Sequence, residues 1–391
     1  MGGNITVFNN VTKKSYKAEK VELNKVNLQD FRKDFLELFN TINERFEKEY
    51  KRKLWKPNEI KNSFVFNGSS SFILSDEYDP REILKYKTQM GDVDVTVPDY
   101  EGKNLFLLFR KFENKRFGNF TLKGIYQQNE NALGDQIFTI FKYYLPDRIS
   151  LDNSPKSYDC INIQIDFELT EFDKGSPSEF AKFGHSSSFE DAKVEVKAFH
   201  HKLLINAIMA CISRLNDAIV VTKGSKPGNL KQVAWNKAKP AKLLKFSVDA
   251  GMRASLEPML DEEGNQVYMD GLKVYKELSV QDSKFEKSVQ KIFNTAFKGK
   301  GDIKDFHSFV GLCRLIKKYC DKREQMDILE SYFTTLFKLA AQVRLDSLAD
   351  DMEEKDSGVR YIENFLNLKV HRKQARLEAY KAHKLSKGYN L

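Results

Sequence analysis

Two aspartates one residue apart, Asp92 and Asp94, are the side chains whose types and spacing best suit chemistry. They lie in the run GDVDVTVP, in which polar and apolar residues alternate as they do in a half-buried strand. Alternation puts the two carboxylates on one face, about 7 Å apart along the chain, and Val93, Val95 and Val97 on the other. Carboxylates that share a face can hold divalent cations such as Mg²⁺, which prefer oxygen ligands.

A third carboxylate stands later in the chain, in YDCINIQIDFEL, which has the strongest strand pattern of the sequence. One face of this strand is predicted to carry Ile161, Ile163 and Ile165, and the other Asn162, Gln164, Asp166 and Glu168. A site for two metal ions needs carboxylates that bridge ions roughly 3.5 to 4 Å apart. Asp166, on a neighbouring strand, is therefore the candidate third ligand.

The elements around these aspartates decide whether the pair is more than the solvated face of an edge strand. Apolar residues recur at steps of three and four over residues 28–50, which predicts an amphipathic helix. The run SFVFNGSSSF follows as a short strand that ends in the turn Gly68-Ser69. Residues 103–146 are predicted to form a helix (LFLLFRKF), a strand (FTLKGIY) and a second helix from Asn131 to Tyr144.

This order of motifs resembles the DNA polymerase β-like nucleotidyltransferase superfamily over roughly residues 28–170. The signature of that superfamily is a strand ending in Gly-Ser or Gly-Gly, an Asp-x-Asp strand and a later strand with a third acid. The resemblance implies that Gly68, Ser69 and Ser70 approach the phosphates of a nucleotide. It implies that Asp92 and Asp94 hold two Mg²⁺ or Mn²⁺ ions, and that Asp166 holds the ion that lowers the pKa of the attacking hydroxyl.

The chain departs from this pattern in one respect. The separation between Gly68 and Asp92 is about twice that of compact members of the superfamily, which implies an insertion at residues 76–89. Asn67, Ser70 and Ser71 are alternatives to Ser69 as phosphate contacts. Lys85 or Lys87 is a candidate to neutralise a triphosphate, and Lys87 is the one preferred here.

A second polar cluster, Gly184-His185-Ser186-Ser187-Ser188 with His200-His201 downstream, is open to two interpretations. It is a further functional site, or it is a polar interdomain loop followed by one histidine on a helix surface, and the second interpretation is favoured. Glycine-rich dinucleotide and P-loop motifs are absent from the sequence, which disfavours a Rossmann dehydrogenase or a Walker-type ATPase.

The predicted fold class is α+β, with a nucleotidyltransferase-like mixed sheet, flanking helices and a mainly helical C-terminal domain. Residues 1–175 form the predicted catalytic domain. Residues 176–281 hold a long apolar helix over 193–220, a basic loop and a pair of strands, LKFSVDAGMR and QVYMDGLKVYKEL. Residues 282–391 read as helix almost throughout and end in a basic tail.

The net positive charge of the chain indicates the kind of partner that it would bind. Among 391 residues, Lys and Arg number 64 against 55 Asp and Glu, giving a net charge of +9 that favours polyanionic partners. Two basic segments are predicted to follow a nucleic-acid backbone, with a tryptophan as a stacking platform, through Lys223, Lys226, Lys231, Trp235, Lys237, Arg372 and Lys373.

The sequence lacks a run of about 20 apolar residues and a signal-like start, so no membrane partner is expected. Four scattered cysteines without metal-ligand spacing predict free thiols, which favours the cytoplasm. Neither the oligomeric state nor the choice of base is encoded in a recognisable motif.

Together these features predict an enzyme, an ATP- or other NTP-using nucleotidyltransferase. It would move a nucleoside monophosphate to an acceptor hydroxyl, the 3′ end of RNA such as tRNA or of DNA, and release pyrophosphate. Two alternatives stay open. One keeps the site but gives it a protein or small-molecule acceptor, and the other is a non-catalytic nucleic-acid-binding module with the same fold.

Overall fold

A computed structural model describes residues 5–62, 65–127, 136–145, 160–174, 176–185, 187–215, 218–221, 241–247, 250–342 and 357–370. The chain divides into two compact units, Met1–Lys193 and Val194–Leu391. Neither of the boundaries predicted after residues 175 and 281 coincides with this division, and the three-domain organisation stays a prediction.

The helices of the first unit begin with a long one that the sequence predicted correctly. Asn27 caps its start by accepting hydrogen bonds from the backbone N–H groups of Gln29 and Asp30, and Lys51 ends it in a left-handed conformation. The helices are α1 (Leu28–Tyr50), α2 (Pro57–Lys61), α3 (Ser70–Ile73), α4 (Pro80–Tyr86), α5 (Gly102–Lys111), α6 (Glu179–His185) and α7 (Phe189–Lys193), with short 3-10 turns at Leu23–Lys25 and Asp99–Glu101.

The strands of this unit are β1 (Thr6–Asn9), β2 (Lys14–Lys17), β3 (Val21–Glu22), β4 (Phe66–Asn67), β5 (Gln89–Met90), β6 (Asp92–Pro98), β7 (Arg116–Phe117), β8 (Phe120–Gln127), β9 (Gln136–Tyr144), β10 (Cys160–Thr170), β11 (Phe172–Asp173) and β12 (Ser176–Pro177). Six of them form one sheet in the order β4-β6-β10-β9-β8-β7. β6 and β10 run parallel and the other neighbours are antiparallel, so the sheet is mixed, as predicted.

The helix predicted from Asn131 to Tyr144 is wrong over its described part, residues 136–144, which form β9. The apolar residues of QIFTIFKYY fit the three-and-four spacing of a helix by coincidence. The run is rich in β-branched and aromatic residues, and it pairs with β8 on one side and β10 on the other. These two long ladders, which the local pattern does not reveal, determine the strand.

The apolar stripe of α1 packs against the strands on both sides of β6. The ring of Phe39 lies 5.2 Å from that of Phe66 on β4 and 6.3 Å from that of Phe167 on β10. All three rings are buried in the same core as Val93, Val95 and Val97 of β6. Because interiors are closely packed, this helix holds the backs of the three strands that carry the aspartates and the Gly-Ser turn.

The second unit, Val194–Leu391, combines helices with short strands. Its helices are α8 (Ala198–Ile212), α9 (Val289–Phe297), α10 (Phe309–Tyr319), α11 (Lys322–Gln342) and α12 (Ser357–Leu366), with a 3-10 turn at Ile303–His307. The helices expected after residue 282 are thus confirmed within the described residues. The long helix expected over 193–220 is shorter, because it ends at Ile212 and strands follow.

The strands of the second unit are β13 (Arg214–Leu215), β14 (Ala218–Val221), β15 (Ala241–Lys242), β16 (Leu244–Ser247), β17 (Gly251–Ala254), β18 (Leu256–Pro258), β19 (Tyr268–Met269), β20 (Leu272–Glu277) and β21 (Phe285–Glu286). The two runs predicted to pair with each other instead form separate hairpins, β16 with β17 and β19 with β20. Each run contains its own turn, which brings its two halves together before the second run is reached. All four cysteines are free thiols, as predicted.

Candidate metal and nucleotide site

Register between three strands brings the predicted acidic residues together. Asp166 on β10 lies directly across from Asp94 on β6, and Asn67 at the end of β4 lies across from Asp94 on its other side. One carboxylate oxygen from each of Asp92, Asp94 and Asp166 falls within 4.8 Å of the others. The three candidate ligands therefore form one group, and three carboxylates are an oxygen set that suits a hard divalent cation.

The two faces of β6 differ as the alternation predicted. Val93, Val95 and Val97 have no exposed surface, whereas Asp92 and Asp94 are half-buried. Asp166 is more enclosed, with 5% of its surface exposed. The sequence does not indicate this, because the polar face of β10 looks solvated when it is considered alone.

The turn after β4 lies against Asp94. Gly68 has a φ of +54°, and a Cβ placed on it would lie 2.3 Å from Oδ2 of Asp94. Any side chain here would meet both backbone strain and a steric clash. Glycine thus suits the point where the backbone of the turn approaches the carboxylates, and a larger residue would have to displace the Asp94 carboxylate.

The serines after Gly68 have different surroundings. Ser70 is fully buried, and its hydroxyl lies between backbone groups of β6, accepting from the N–H of Asp94 at 3.3 Å and contacting the carbonyl of Asp92 at 3.4 Å. Ser71 donates to the carbonyl of Gly68 at 2.8 Å. Ser69 is the half-buried residue between the turn and α3. The contacts of Ser70 suit a role in holding the aspartate strand, so Gly68 and Ser69 remain the candidates to contact a ligand.

Asn67, the alternative phosphate contact, faces away from such a role. It is buried, and its amide nitrogen donates to Oε2 of Glu168 at 2.6 Å. The other oxygen of Glu168 accepts from Nε2 of Gln136, which lies across from it on β9, at 3.4 Å. Glu168 is itself buried and shares a face with Asp166, two residues earlier.

Burial dominates the electrostatics of the aspartates. It raises the pKa of Asp166 to about 7, aided by the charges of Asp92 and Glu168, while hydrogen bonds from Gln164 oppose the rise. Burial also raises the pKa of Asp92, with Lys87 acting in the opposite direction and Glu168 in the same one. A divalent cation among these groups would reverse this balance by favouring the ionised carboxylates.

Two lysines carry charge beside these acidic residues, since Lys87 acts on Asp92 and Lys182 on Glu168. Lys87 is half-buried at the end of α4, and its positive charge lowers the pKa of Asp92, as a cation beside the site must. Lys182 on α6 donates from Nζ to the carbonyl of Phe66 at 2.9 Å. Burial lowers the pKa of Lys182 to about 8, against the charges of Glu59 and Glu168. Lys85, by contrast, pairs with Glu82 on the exposed side of α4.

The expected insertion is the segment that contains α4. Arg32 on α1 fastens the stretch before it by donating to the carbonyls of Ile73, at 2.8 Å, and Tyr78, at 3.0 Å. The extra residues thus lie on the first unit's core, and they bring Lys87 toward Asp92.

The second polar cluster, residues 184–188 with His200 and His201, does not form one site within the described residues. His200 and His201 are buried in α8, where Nδ1 of His200 lies 2.5 Å from the hydroxyl of Tyr332 and Nε2 of His201 donates to the carbonyl of Phe306 at 2.8 Å. Burial lowers the pKa of His201 to about 4, so it packs as a neutral side chain. The expectation of a helix-surface histidine is wrong. Ser187 accepts a hydrogen bond from Ser71 at its carbonyl, while Ser186 lies outside the described residues.

The residues predicted to bind nucleic acid, Lys223, Lys226, Lys231, Trp235, Lys237, Arg372 and Lys373, all lie outside the described part of the chain. Sequence reasoning missed Gln136, Gln164, Glu168 and Lys182 as members of the site. Gln164 and Glu168 were recognisable as neighbours of Asp166 on the polar face, whereas nothing local marks Gln136 or Lys182.

Comparisons with family models, with curated proteins and with solved structures found no match to this chain. Among the residues that the structure describes, no helix is both long enough and apolar enough to cross a membrane.

Proposed function

We propose that this protein is a metal-dependent nucleotidyltransferase that moves a nucleoside monophosphate from an NTP to an acceptor hydroxyl and releases pyrophosphate. The observation that carries the proposal is the approach of Asp92, Asp94 and Asp166 within 4.8 Å, with the Gly68 turn against Asp94. A metal ligand set beside a glycine turn whose backbone approaches Asp94 suits a triphosphate, whose oxygens bind both metal ions and backbone N–H groups.

The donor set fits Mg²⁺ or Mn²⁺, because it consists of carboxylate oxygens without a sulfur or nitrogen ligand. Asp92, Asp94 and Asp166 would hold the ions. Bound there, two such ions would lower the pKa of the attacking hydroxyl and neutralise charge on the transferred phosphoryl group.

The chain itself contributes position and charge. Gly68 and Ser69 would receive the phosphates, and Lys87 would neutralise part of the triphosphate charge. Ser70 holds the backbone at both aspartates, so that the carboxylates keep their spacing. The acceptor oxygen attacks the α-phosphorus as the bond to the pyrophosphate oxygen breaks, and catalysis then depends mainly on positioning and electrostatic stabilisation.

The excess of positive charge over the whole chain favours a nucleic-acid acceptor, and we propose the 3′ end of RNA or DNA. A protein or small-molecule acceptor would use the same metal site, whereas a non-catalytic module would bind nucleic acid without transferring a nucleotide. A transfer assay distinguishes these alternatives.

The test is a transfer assay with Mg²⁺, each α-labelled NTP or dNTP in turn, and a pool of short RNA, DNA and tRNA. Wild type is compared with Asp92→Asn/Asp94→Asn, which keeps side-chain shape but removes two metal ligands. Asp173→Asn removes an exposed carboxylate of the same unit and serves as the control. Transfer by wild type and the control, lost in the double variant, supports the proposal.

Label that moves onto the protein or a small molecule instead supports the same chemistry with another acceptor. Nucleic-acid binding without transfer, unchanged in Asp92→Asn/Asp94→Asn, contradicts the enzyme and favours the binding module.

A further inference from the structure

The Gly-Ser turn is attached to the sheet by little backbone pairing. β4 contains only Phe66 and Asn67, and among the strands of the described residues it is an edge strand with β6 as its one neighbour. Short edge strands have few ladder hydrogen bonds and open easily. A turn that must hold phosphates against Asp94 therefore needs ties other than the strand itself.

One side-chain tie crosses the aspartate strand. Asn67 on β4 and Glu168 on β10 lie on opposite sides of β6, two strand spacings or about 9.6 Å apart across the sheet and offset by two residues along it. Their side chains nevertheless meet, with Nδ2 of Asn67 2.6 Å from Oε2 of Glu168. Both residues are buried, so breaking this bond leaves polar groups without water to replace it.

A second tie acts on the preceding residue. Nζ of Lys182 donates to the carbonyl of Phe66 at 2.9 Å, and the charge of Glu168 acts on this lysine. Glu168 is thus connected to both residues of β4, through Asn67 directly and through Lys182 electrostatically. It is not a member of the carboxylate group formed by Asp92, Asp94 and Asp166.

We propose that the hydrogen bond between Asn67 and Glu168 positions the Gly68-Ser69 turn for the donor phosphates, so that Glu168 is a positioning residue for nucleotide binding and not a further metal ligand. This rests on the proposed function. The hydrogen bond acts through geometry, because Asn67 immediately precedes Gly68 and lies across from Asp94. A shift of Asn67 moves the turn relative to the carboxylates.

The test separates hydrogen bonding from charge at residue 168. Glu168→Gln removes the charge but keeps an oxygen that accepts from Asn67, since Gln136 can reverse its own amide to match the new group. Glu168→Leu removes both the charge and the acceptor. Asn67→Leu removes the donor alone.

Two affinities are measured. Calorimetry gives the affinity for ATP in the presence of Mg²⁺, and spin resonance gives the affinity for Mn²⁺ without nucleotide. ATP affinity is expected to fall about tenfold in Glu168→Leu and in Asn67→Leu, the loss typical of one buried hydrogen bond, and to stay near wild type in Glu168→Gln. The variant with both leucines is expected to bind ATP no more weakly than the poorer single variant. Mn²⁺ affinity is expected to be equal in Glu168→Gln and Glu168→Leu, since both lose the same charge.

Equal losses of ATP affinity in Glu168→Gln and Glu168→Leu would overturn the proposal, because they assign the role to charge. Wild-type ATP affinity in Asn67→Leu would overturn it as well. Far-UV circular dichroism checks that each variant is folded.

A wild-type protein that binds Mn²⁺ but none of the NTPs contradicts the proposed function and not the tie itself. Hydrogen exchange over residues 66–73 then decides. Faster exchange in Glu168→Leu and Asn67→Leu, with wild-type exchange in Glu168→Gln, supports the positioning hydrogen bond. Equal exchange in the wild type and these three single variants refutes it.

Discussion

The side-chain amide of Gln164 donates to both carboxylate oxygens of Asp166, at 2.9 and 2.8 Å. The two residues are two positions apart on β10, and Gln164 lies across from Asp92 while Asp166 lies across from Asp94. The glutamine therefore orients the most buried acid of the triad. It also lowers the pKa of that acid, against the larger effect of burial.

Replacing Gln164 by Met should raise the pKa of Asp166 above about 7, because it removes the hydrogen bonds that stabilise the ionised form. Metal binding needs the ionised carboxylate, so the midpoint of Mn²⁺ binding against pH should move to higher pH. Spin resonance of free Mn²⁺ between pH 5 and 9 measures this. Gln89→Met, at an exposed position on β5, is the control, and an identical midpoint in both variants would refute the assigned effect.

Asp166→Asn should stabilise the metal-free protein, increasingly so as pH rises. The folded pKa of about 7 lies above the ordinary value of 3.8, so ionisation of Asp166 opposes folding. The wild type therefore loses unfolding free energy as the pH rises from about 4 to about 7. Asp166→Asn does not, because asparagine does not ionise. At pH 8 the difference should be at most about 4 kcal/mol.

Urea unfolding from pH 4 to pH 8 without metal measures this difference. It should be near zero at pH 4 and level off above pH 7. A constant difference across this range would mean that packing, and not ionisation, is responsible. Saturating Mg²⁺ should reverse the order, since only the wild type keeps the third ligand.

Gly68→Ala should cost more than backbone strain. Its Cβ would lie 2.3 Å from Oδ2 of Asp94, whereas Gly271, which also has a positive φ, has no atom within 4 Å of an added Cβ. Gly271→Ala should lose about 1 kcal/mol of unfolding free energy from conformation alone and keep Mn²⁺ affinity. Gly68→Ala should lose more stability and weaken Mn²⁺ binding, because Asp94 must move. Equal effects of the two substitutions on Mn²⁺ binding would contradict contact between the turn and the carboxylate.

Much of this site could be predicted from local pattern. Strict alternation marked β6 and the two faces of β10, and the stripe of α1 gave that helix its correct ends. These signals are local, since each depends on residues within one element.

What could not be predicted depends on partners distant in sequence. Asn67 and Glu168 are separated by 101 positions, and no pattern at either one reveals the other. The burial of Asp166, which shifts its pKa, arises only when β10 is covered on its polar face. Distant partners also explain why residues 136–144 form the strand β9 and not the predicted helix. Their apolar spacing is ambiguous, and pairing with β8 and β10 decides it.

Mg²⁺ should raise the thermal stability of the wild type and of Asp173→Asn, but not of Asp92→Asn/Asp94→Asn. An ion present at ten times its Kd stabilises the folded state by about 1.4 kcal/mol. At about 2 to 4 °C per kcal/mol for a unit of this size, the melting temperature should rise by about 3 to 6 °C. Thermal unfolding with Mg²⁺ from 0 to 20 mM measures the shift. An equal shift in the double variant would place the bound ion elsewhere on the protein.

The lysines between residues 223 and 237 should set the salt dependence of nucleic-acid binding. Each lysine that neutralises a phosphate of single-stranded RNA adds about 0.7 to the slope of log affinity against log salt. Changing Lys223, Lys226, Lys231 and Lys237 together to Gln should therefore lower that slope by up to about 3. Fluorescence anisotropy with a labelled RNA between 50 and 300 mM salt gives the slopes.

Four exposed lysines of the first unit, Lys13, Lys14, Lys17 and Lys20, changed to Gln, provide a control with the same loss of charge. A stacking role predicts a different signature for Trp235. Trp235→Ala should weaken binding by about 1 to 3 kcal/mol at every salt concentration and leave the slope unchanged, because stacking releases no counterions. Equal slopes for the two lysine variants would mean that net charge alone, and not the lysines between residues 223 and 237 in particular, attracts the nucleic acid.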